Sequence, residues 1–351
     1  MAILTSYDLK GKVDSFANWI TNLSPTDTFF VSVTGKEQVK NTIFQWQTDS
    51  LASADENNAQ KESDDAVMST LTPTLVHQNV TQILRKALEV TVTADAVDSW
   101  GRNKELAYQM EKAGKEIKRD LEKILLLKNN AGTTNNSAGE GYGMSGKAAD
   151  EGLQGKENVP PAAAGAARKT RSFGDLVAGQ STVAAGAAGT ETDTTGKIKD
   201  KDTGAVVHKK SGTKDAMTEA QLFDITYNLY LAGSSANTIM FHPKHASFFS
   251  SLMETAAGRT KLIENMDTTL NKFVGSIIDP LGQQFTLVPN RFMPEDAVYF
   301  FNPTDWTQMV LREPQKVQLA KKGSSERWMI EMEVGLRHKH PFASGILELK
   351  A

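Results

Sequence analysis

The 351-residue sequence contains no cysteine. That excludes disulfides, thiolate nucleophiles and cysteine-ligated metals, and fits a protein matured in a reducing cytoplasm. Long hydrophobic runs are also missing: no stretch approaches the roughly 18 apolar residues that a membrane-spanning helix needs. The opening Met1-Ala-Ile-Leu-Thr-Ser-Tyr-Asp8 has no basic segment followed by an apolar one, so no signal peptide is expected. An excess of charge of one sign is absent too. The 39 Lys and Arg face 42 Asp and Glu, a formal net charge of −3, so the chain as a whole carries no electrostatic footprint for nucleic acid. What is present is a hydrophobic fraction of 39%. That supports a core, and the length suffices for two or three domains.

Sparse apolar positions up to Leu23 suggest an N-terminal arm lying on other protein surface. Between Thr28 and Thr48 the pattern reads as strand. Phe29, Val31 and Val33 alternate, as do Thr42, Phe44, Trp46 and Thr48. A polar stretch follows, and a second strand-like run covers Leu75 to Thr93. Together these make a long two-stranded excursion with a polar tip. Such a ribbon has no core of its own, so Phe44 and Trp46 need outside cover, which a neighbouring subunit would supply. The clearest helix comes next. Val97, Trp100, Leu106, Met110, Ile117, Leu121, Ile124 and Leu125 follow the 3.6-residue period. This predicts about 33 residues, or ~50 Å, to Lys128.

Residues 129–216 are rich in Gly, Ala, Ser and Thr and read as a mobile or surface-exposed insertion. Only Phe173, Leu176 and Val177 offer an anchor, and a hairpin is expected near Lys201–Val207. From Met217 the pattern is mixed α+β with antiparallel sheet. A short amphipathic helix carries Leu222, Ile225, Leu229 and Tyr230, and a helix with proline in its first turn covers Pro243–Thr255. Short strands include Phe273–Ile278, Thr307–Leu311 and Val317–Ala320. The cleanest alternates Trp328, Ile330, Met332, Val334 and Leu336 against Arg327, Glu331 and Glu333, and this places the two glutamates on a solvated face.

Few residues suggest chemistry. Gly141-Tyr-Gly-Met-Ser-Gly-Lys147 fits the spacing of a phosphate loop, but Ala148 stands where a Ser or Thr should bind Mg²⁺. Neither a buried strand before it nor an amphipathic helix after it is evident, so a plain Gly-rich loop is expected. The pairs His242/His245 and His338/His340 supply two ligands each, short of a metal site's three or four. No Gly-x-Ser-x-Gly elbow is present. No catalytic residue, cofactor or metal is assigned.

The order of arm, extended hairpin, long helix and mixed α+β region resembles the HK-97-like fold of tailed-bacteriophage major capsid proteins. The stretches Ser24-Pro25…Thr28-Phe29, Trp46-Gln-Thr-Asp-Ser-Leu51, Asn79-Val-Thr-Gln-Ile83, Arg119-Asp-Leu-Glu122 and Leu319-Ala-Lys-Lys-Gly-Ser-Ser-Glu326 are similar to the SU-10-type branch. The resemblance implies an α+β capsid fold divided into an arm (1–35), an extended-loop hairpin (36–93), a spine helix of the peripheral domain (94–128), the insertion (129–216), a mostly axial region (217–311) and strands returning to the peripheral domain (312–351). It implies a non-enzymatic subunit that assembles with itself as hexamers and pentamers around packaged DNA, without sequence specificity and without a membrane. It also implies a separate scaffolding protein, a portal and a decoration protein as partners, and residence in the virion after assembly in the host cytoplasm. Phe44, Trp46, Asp49, Asn79, Gln82, Arg119 and Glu122 are its candidates for contacts between subunits. For Arg119 and Glu122 an ordinary exposed helix pair is the equal alternative. An encapsulin-like nanocompartment shell and a nucleotide-binding enzyme using Gly141–Lys147 are the rival readings.

Overall fold

The computed structural model describes residues 27–49, 74–97, 104–128, 168–177, 181–183, 217–255 and 275–349, with scattered positions between 51 and 68. In chain order the elements are α1 (Phe29–Val33), β1 (Gly35–Gln38), β2 (Ile43–Thr48), β3 (Leu75–Val80), β4 (Gln82–Thr91), α2 (Val92–Ala96), α3 (Glu105–Leu125), α4 (Phe173–Leu176) and β5 (Ser181–Val183). Then follow α5 (Glu219–Leu231), β6 (Thr238–Phe241), α6 (Ala246–Thr255), β7 (Ser276–Ile278), β8 (Gln284–Pro289), β9 (Ala297–Phe301), β10 (Trp306–Leu319), β11 (Ser325–His338) and β12 (Gly345–Glu348). They form a four-stranded sheet in the order β1-β10-β11-β4, a six-stranded sheet in the order β5-β12-β9-β6-β8-β7, and the separate ribbon β2-β3.

The helix α3 buries Met110, Ala113, Ile117, Leu121 and Leu125 at helical spacing and lays them on β4 and β11. The expected single long helix is shorter than the periodicity suggested: α3 has 21 residues, α2 precedes it, and 98–103 lie outside the described residues. Lys86 of β4 reaches across to Asp120 at 2.8 Å. The expected strands Thr307–Leu311 and Val317–Ala320 are one 14-residue strand, β10. Its register against β11 shifts on both sides of Arg312, next to Pro314, which has no N–H to give the ladder.

Two cores share the six-stranded sheet. Met240, Tyr299, Phe301 and Ile346 face the first core with α3 and the four-stranded sheet; Ile239, Phe241, Val298, Phe300 and Leu347 face the second with α5 and α6. Every residue of β9 is therefore buried. At the centre of the first core four rings stack in a column. His338 lies on Trp306 at 4.0 Å, Trp306 on Phe173 at 4.3 Å, and Phe173 on Tyr299 at 4.2 Å.

Phe173 belongs to the segment expected to be mobile or surface-exposed, and here the reading is corrected. Residues 170–177 are buried, and a capping box between Ser172 and Asp175 starts α4. The hairpin expected at Lys201–Val207 and the loop Gly141–Lys147 lie outside the described residues. The strand expected through Phe29, Val31 and Val33 is the short helix α1, which turns Phe30 into the first core against Phe173, Phe301 and Trp306.

Candidate assembly site

The ribbon β2-β3 belongs to neither large sheet, so its root decides how it is held. The run Leu75–Thr93 divides at Thr81. That residue lies between β3 and β4 and donates its hydroxyl to Glu333 at 2.7 Å, while its N–H meets Thr42 O at 2.9 Å, one position beyond the Ile43/Val80 pair. Asn79 is fully buried. Its amide donates to Leu336 O at 2.6 Å, and its carbonyl accepts from Val80 N at 2.8 Å and Arg171 N at 2.9 Å. One side chain thus ties the ribbon to β11 and to the segment before α4. Gln82 adds a bond from Thr170 N at 3.1 Å.

On the face of the four-stranded sheet opposite α3, Gly335 receives the Phe44 ring: a Cβ there would lie 2.5 Å from Phe44 Cε1 and 3.1 Å from Val80 O. Phe44 is buried within its own chain, and the cover expected from a neighbouring subunit is supplied there by β11 at Gly335. Trp46 is half-buried, stacked on Phe44 at 6.1 Å and facing His77 at 5.7 Å. His77 Nε2 lies 2.6 Å from Thr48 Oγ1, and burial lowers its pKa to about 4. Asp49, at the end of β2, is exposed.

Beside this root, Glu331 and Glu333 are buried, not solvated as alternation suggested. Arg85 and Arg312 meet Glu331 at 2.5 and 2.7 Å; Arg168 and Arg312 meet Glu333 at 2.5 and 3.2 Å. Buried carboxylates persist only when paired in this way. The hydrogen bond from Arg85 holds the Glu331 carboxyl below its usual range.

Arg119 and Glu122 do not pair as an exposed helix couple. The Arg119 guanidinium lies 5.8 Å over the Phe292 ring. Glu122 is buried and accepts from Phe30 N at 2.9 Å, Val31 N at 2.7 Å and Asn290 Nδ2 at 2.7 Å. The two backbone groups are first-turn donors of α1 that no local side chain satisfies. A residue of α3 thereby caps α1, which explains why an alternating apolar sequence folds there as a helix. Burial raises the Glu122 pKa, opposed by these three hydrogen bonds.

Of the seven candidates, the structure brings Phe44, Trp46, Asn79 and Gln82 together at the root. Arg119 and Glu122 lie at a second joint, and Asp49 lies outward. Sequence reasoning missed Gly335, Thr81, Arg168 and Arg171; the one available signal was a glycine interrupting an otherwise clean strand. The histidine pairs serve the fold. His242 Nδ1 accepts from Lys244 N at 3.3 Å, and His338 Nε2 meets Ser344 Oγ at 2.9 Å.

The sequence profile of the SU10 major capsid protein family matches residues 3–351. The major capsid protein of Escherichia phage Phieco32 is 48% identical over 98% of this chain and 96% of its own length. Among solved structures, the capsid of a native GTA particle aligns with 99% of this chain and 97% of its own at a TM-score of 0.59 and 11% identity. The SrpI encapsulin of Synechococcus elongatus PCC 7942 aligns with 96% and 92% at 0.51 and 8%. At such identities both show the fold alone, which is HK-97-like. The sequence matches decide between shell types and leave no role for an enzyme at Gly141–Lys147. The chain belongs to the SU10 major capsid protein family: it is a structural, non-enzymatic phage protein that assembles with itself into the capsid shell.

Proposed function

We propose that the chain tiles an icosahedral head as hexamers and pentamers, with β2-β3 as the extended loop that reaches a neighbouring subunit. In this reading α3 and the four-stranded sheet form the peripheral domain. The six-stranded sheet with α5 and α6 forms the axial domain at the centre of each ring. Assembly takes place in the host cytoplasm on a separate scaffolding protein, with a portal at one vertex, a decoration protein outside and DNA held without sequence specificity.

The observation that carries this reading is the ribbon. It stands outside both sheets, yet its root is locked by Phe44 on Gly335 and by Asn79. A two-stranded ribbon is marginal alone, so a rigid root with an outward end fits a lever meant for another surface. Trp46 and Asp49 remain its contact candidates, because Trp46 is only partly buried and Asp49 is exposed beyond it. The near-neutral charge suits a wall that surrounds DNA without gripping it. Electron microscopy of the purified chain, with and without its scaffolding protein, tests the proposal. Rings of five and six copies or closed shells are expected; a monomer under both conditions would count against it.

A further inference from the structure

Among the described residues between 217 and 305, five large apolar side chains stand exposed, and they fall into two groups. Tyr227 (49%), Tyr230 (53%) and Leu231 (53%) lie on α5; Ile278 (66%) ends β7, and Leu281 (44%) lies on the turn that leads to β8. On α5 the core face is Leu222, Ile225 and Leu229. The exposed residues form a second stripe at positions i, i+3 and i+4, turned away from that face. Tyr230, expected on the core face, belongs to this outer stripe. An apolar stripe on each side is what a helix shows when both sides are to be covered.

The two groups lie at opposite ends of one sheet. α5 packs on β12 and β5, the first strands in the order β5-β12-β9-β6-β8-β7, and β7 is the last. The outermost strands β5 and β7 are themselves five spacings of ~4.8 Å apart, about 24 Å across the sheet. A ring of identical subunits needs this arrangement. Its contacts are head-to-tail, so each copy must carry two different complementary patches on opposite sides, whereas a two-fold contact reuses one patch.

The second patch is also preorganised. Asp279 Oδ1 accepts from Leu281 N at 3.0 Å and Gln283 N at 2.8 Å, Gly282 N meets Asp279 O at 2.9 Å, and Gly282 has φ +83°. Pro280 fixes the corner. Little ordering remains to be done when Leu281 docks. The first patch is held equally, because α5 ends on Gly233 at φ +76° with Ser234 N bonded to Leu229 O at 2.9 Å.

We propose that the Tyr227–Tyr230–Leu231 face of α5 in one copy seats on the Ile278–Leu281 turn of the next copy around each ring. This pairing rests on the ring reading above. It is tested in assembled particles with a short bis-maleimide, for which the absence of cysteine gives a clean background. Particles of Leu231→Cys/Leu281→Cys should yield a ladder ending at five and six linked copies. Particles of either single variant should yield none, and particles mixed from the two single variants should stop at dimers. Self-linking of Leu231→Cys alone would mean a two-fold contact and overturn the pairing. Particles that form normally but give no ladder would also overturn it while leaving the ring reading intact. A parent chain that forms neither rings nor shells under any condition would remove the ring reading, and the pairing with it.

Discussion

Gly335 is glycine for a packing reason and not a conformational one. A methyl group there would lie 2.5 Å from the Phe44 ring and 3.1 Å from the Val80 carbonyl oxygen. The ring can tilt, but the backbone oxygen cannot move without disturbing the Asn79 joint. Overpacking of this kind costs roughly 1–3 kcal/mol. Gly335→Ala should lower the melting temperature of the unassembled chain, and Phe44→Leu in the same chain should recover part of the loss. No recovery would mean that the ring is not what the methyl group meets. The histidines make a second residue-level argument. Burial holds His77 at about 4 and His338 at about 3, both neutral near pH 7. Their lowered values mean that the unfolded chain takes up protons first. The stability they contribute is full above about 6.5 and is lost as the pH falls toward 4 and then 3. Glu122 acts in the opposite direction, because its raised pKa favours the fold as the pH falls toward 4.5. For His77 the loss approaches about 3 kcal/mol. Thermal melts of the unassembled chain between pH 7 and 4 should therefore fall more steeply for the parent than for His77→Gln. Equal slopes would remove His77 from the account.

At the scale of elements, the segment 170–177 matters most for its length. Phe173 is fully buried between Trp306 and Tyr299 and meets Phe30 and Phe301 edge-on. Phe173→Ala should destabilise the chain by about 3–5 kcal/mol, as phenylalanine truncation in a core does. Chemical denaturation against the parent measures this, and a loss under 1 kcal/mol would show that the column closes without it. The sequence hid this element because its flanks are rich in Gly, Ala and Thr, and composition averages over them. The local signal was Ser172-x-x-Asp175 beside Phe173, Leu176 and Val177, a capping box with three apolar residues. The stripe of α3 was legible because five buried positions repeat at helical spacing. α1 was not, because five residues are too few to separate the two periods, and its helix depends on Glu122, some 90 positions away. Alternation along β11 correctly placed Trp328 through Leu336 on one face. It misjudged Glu331 and Glu333, because period 2 says which residues share a face and not what covers it. Arg85, Arg168 and Arg312 do so from three separate segments.

For the whole molecule, the consequence is a division of labour. Two cores on opposite faces of the six-stranded sheet make the body, and the root of β2-β3 is held on β11 of that body through Phe44 and Asn79. Fold and assembly should therefore come apart when the ribbon is cut back. Joining Asp49 to Thr74 through an Asn-Gly turn keeps every root contact: Phe44 on Gly335, Asn79 on β11, and Thr48 beside His77. Two-residue turns of this type match the twist of paired strands. The unassembled variant should melt within about 1 kcal/mol of the parent, the range expected when no buried contact is lost. Under conditions where the parent closes shells, it should remain as single subunits or isolated rings. Normal shells from the shortened chain would mean that the ribbon is not the lever between subunits. A large drop in stability would mean instead that its distal part serves the fold of its own chain. Electron microscopy and thermal melting of the same preparation separate these outcomes, because one reads contacts between copies and the other reads contacts within one.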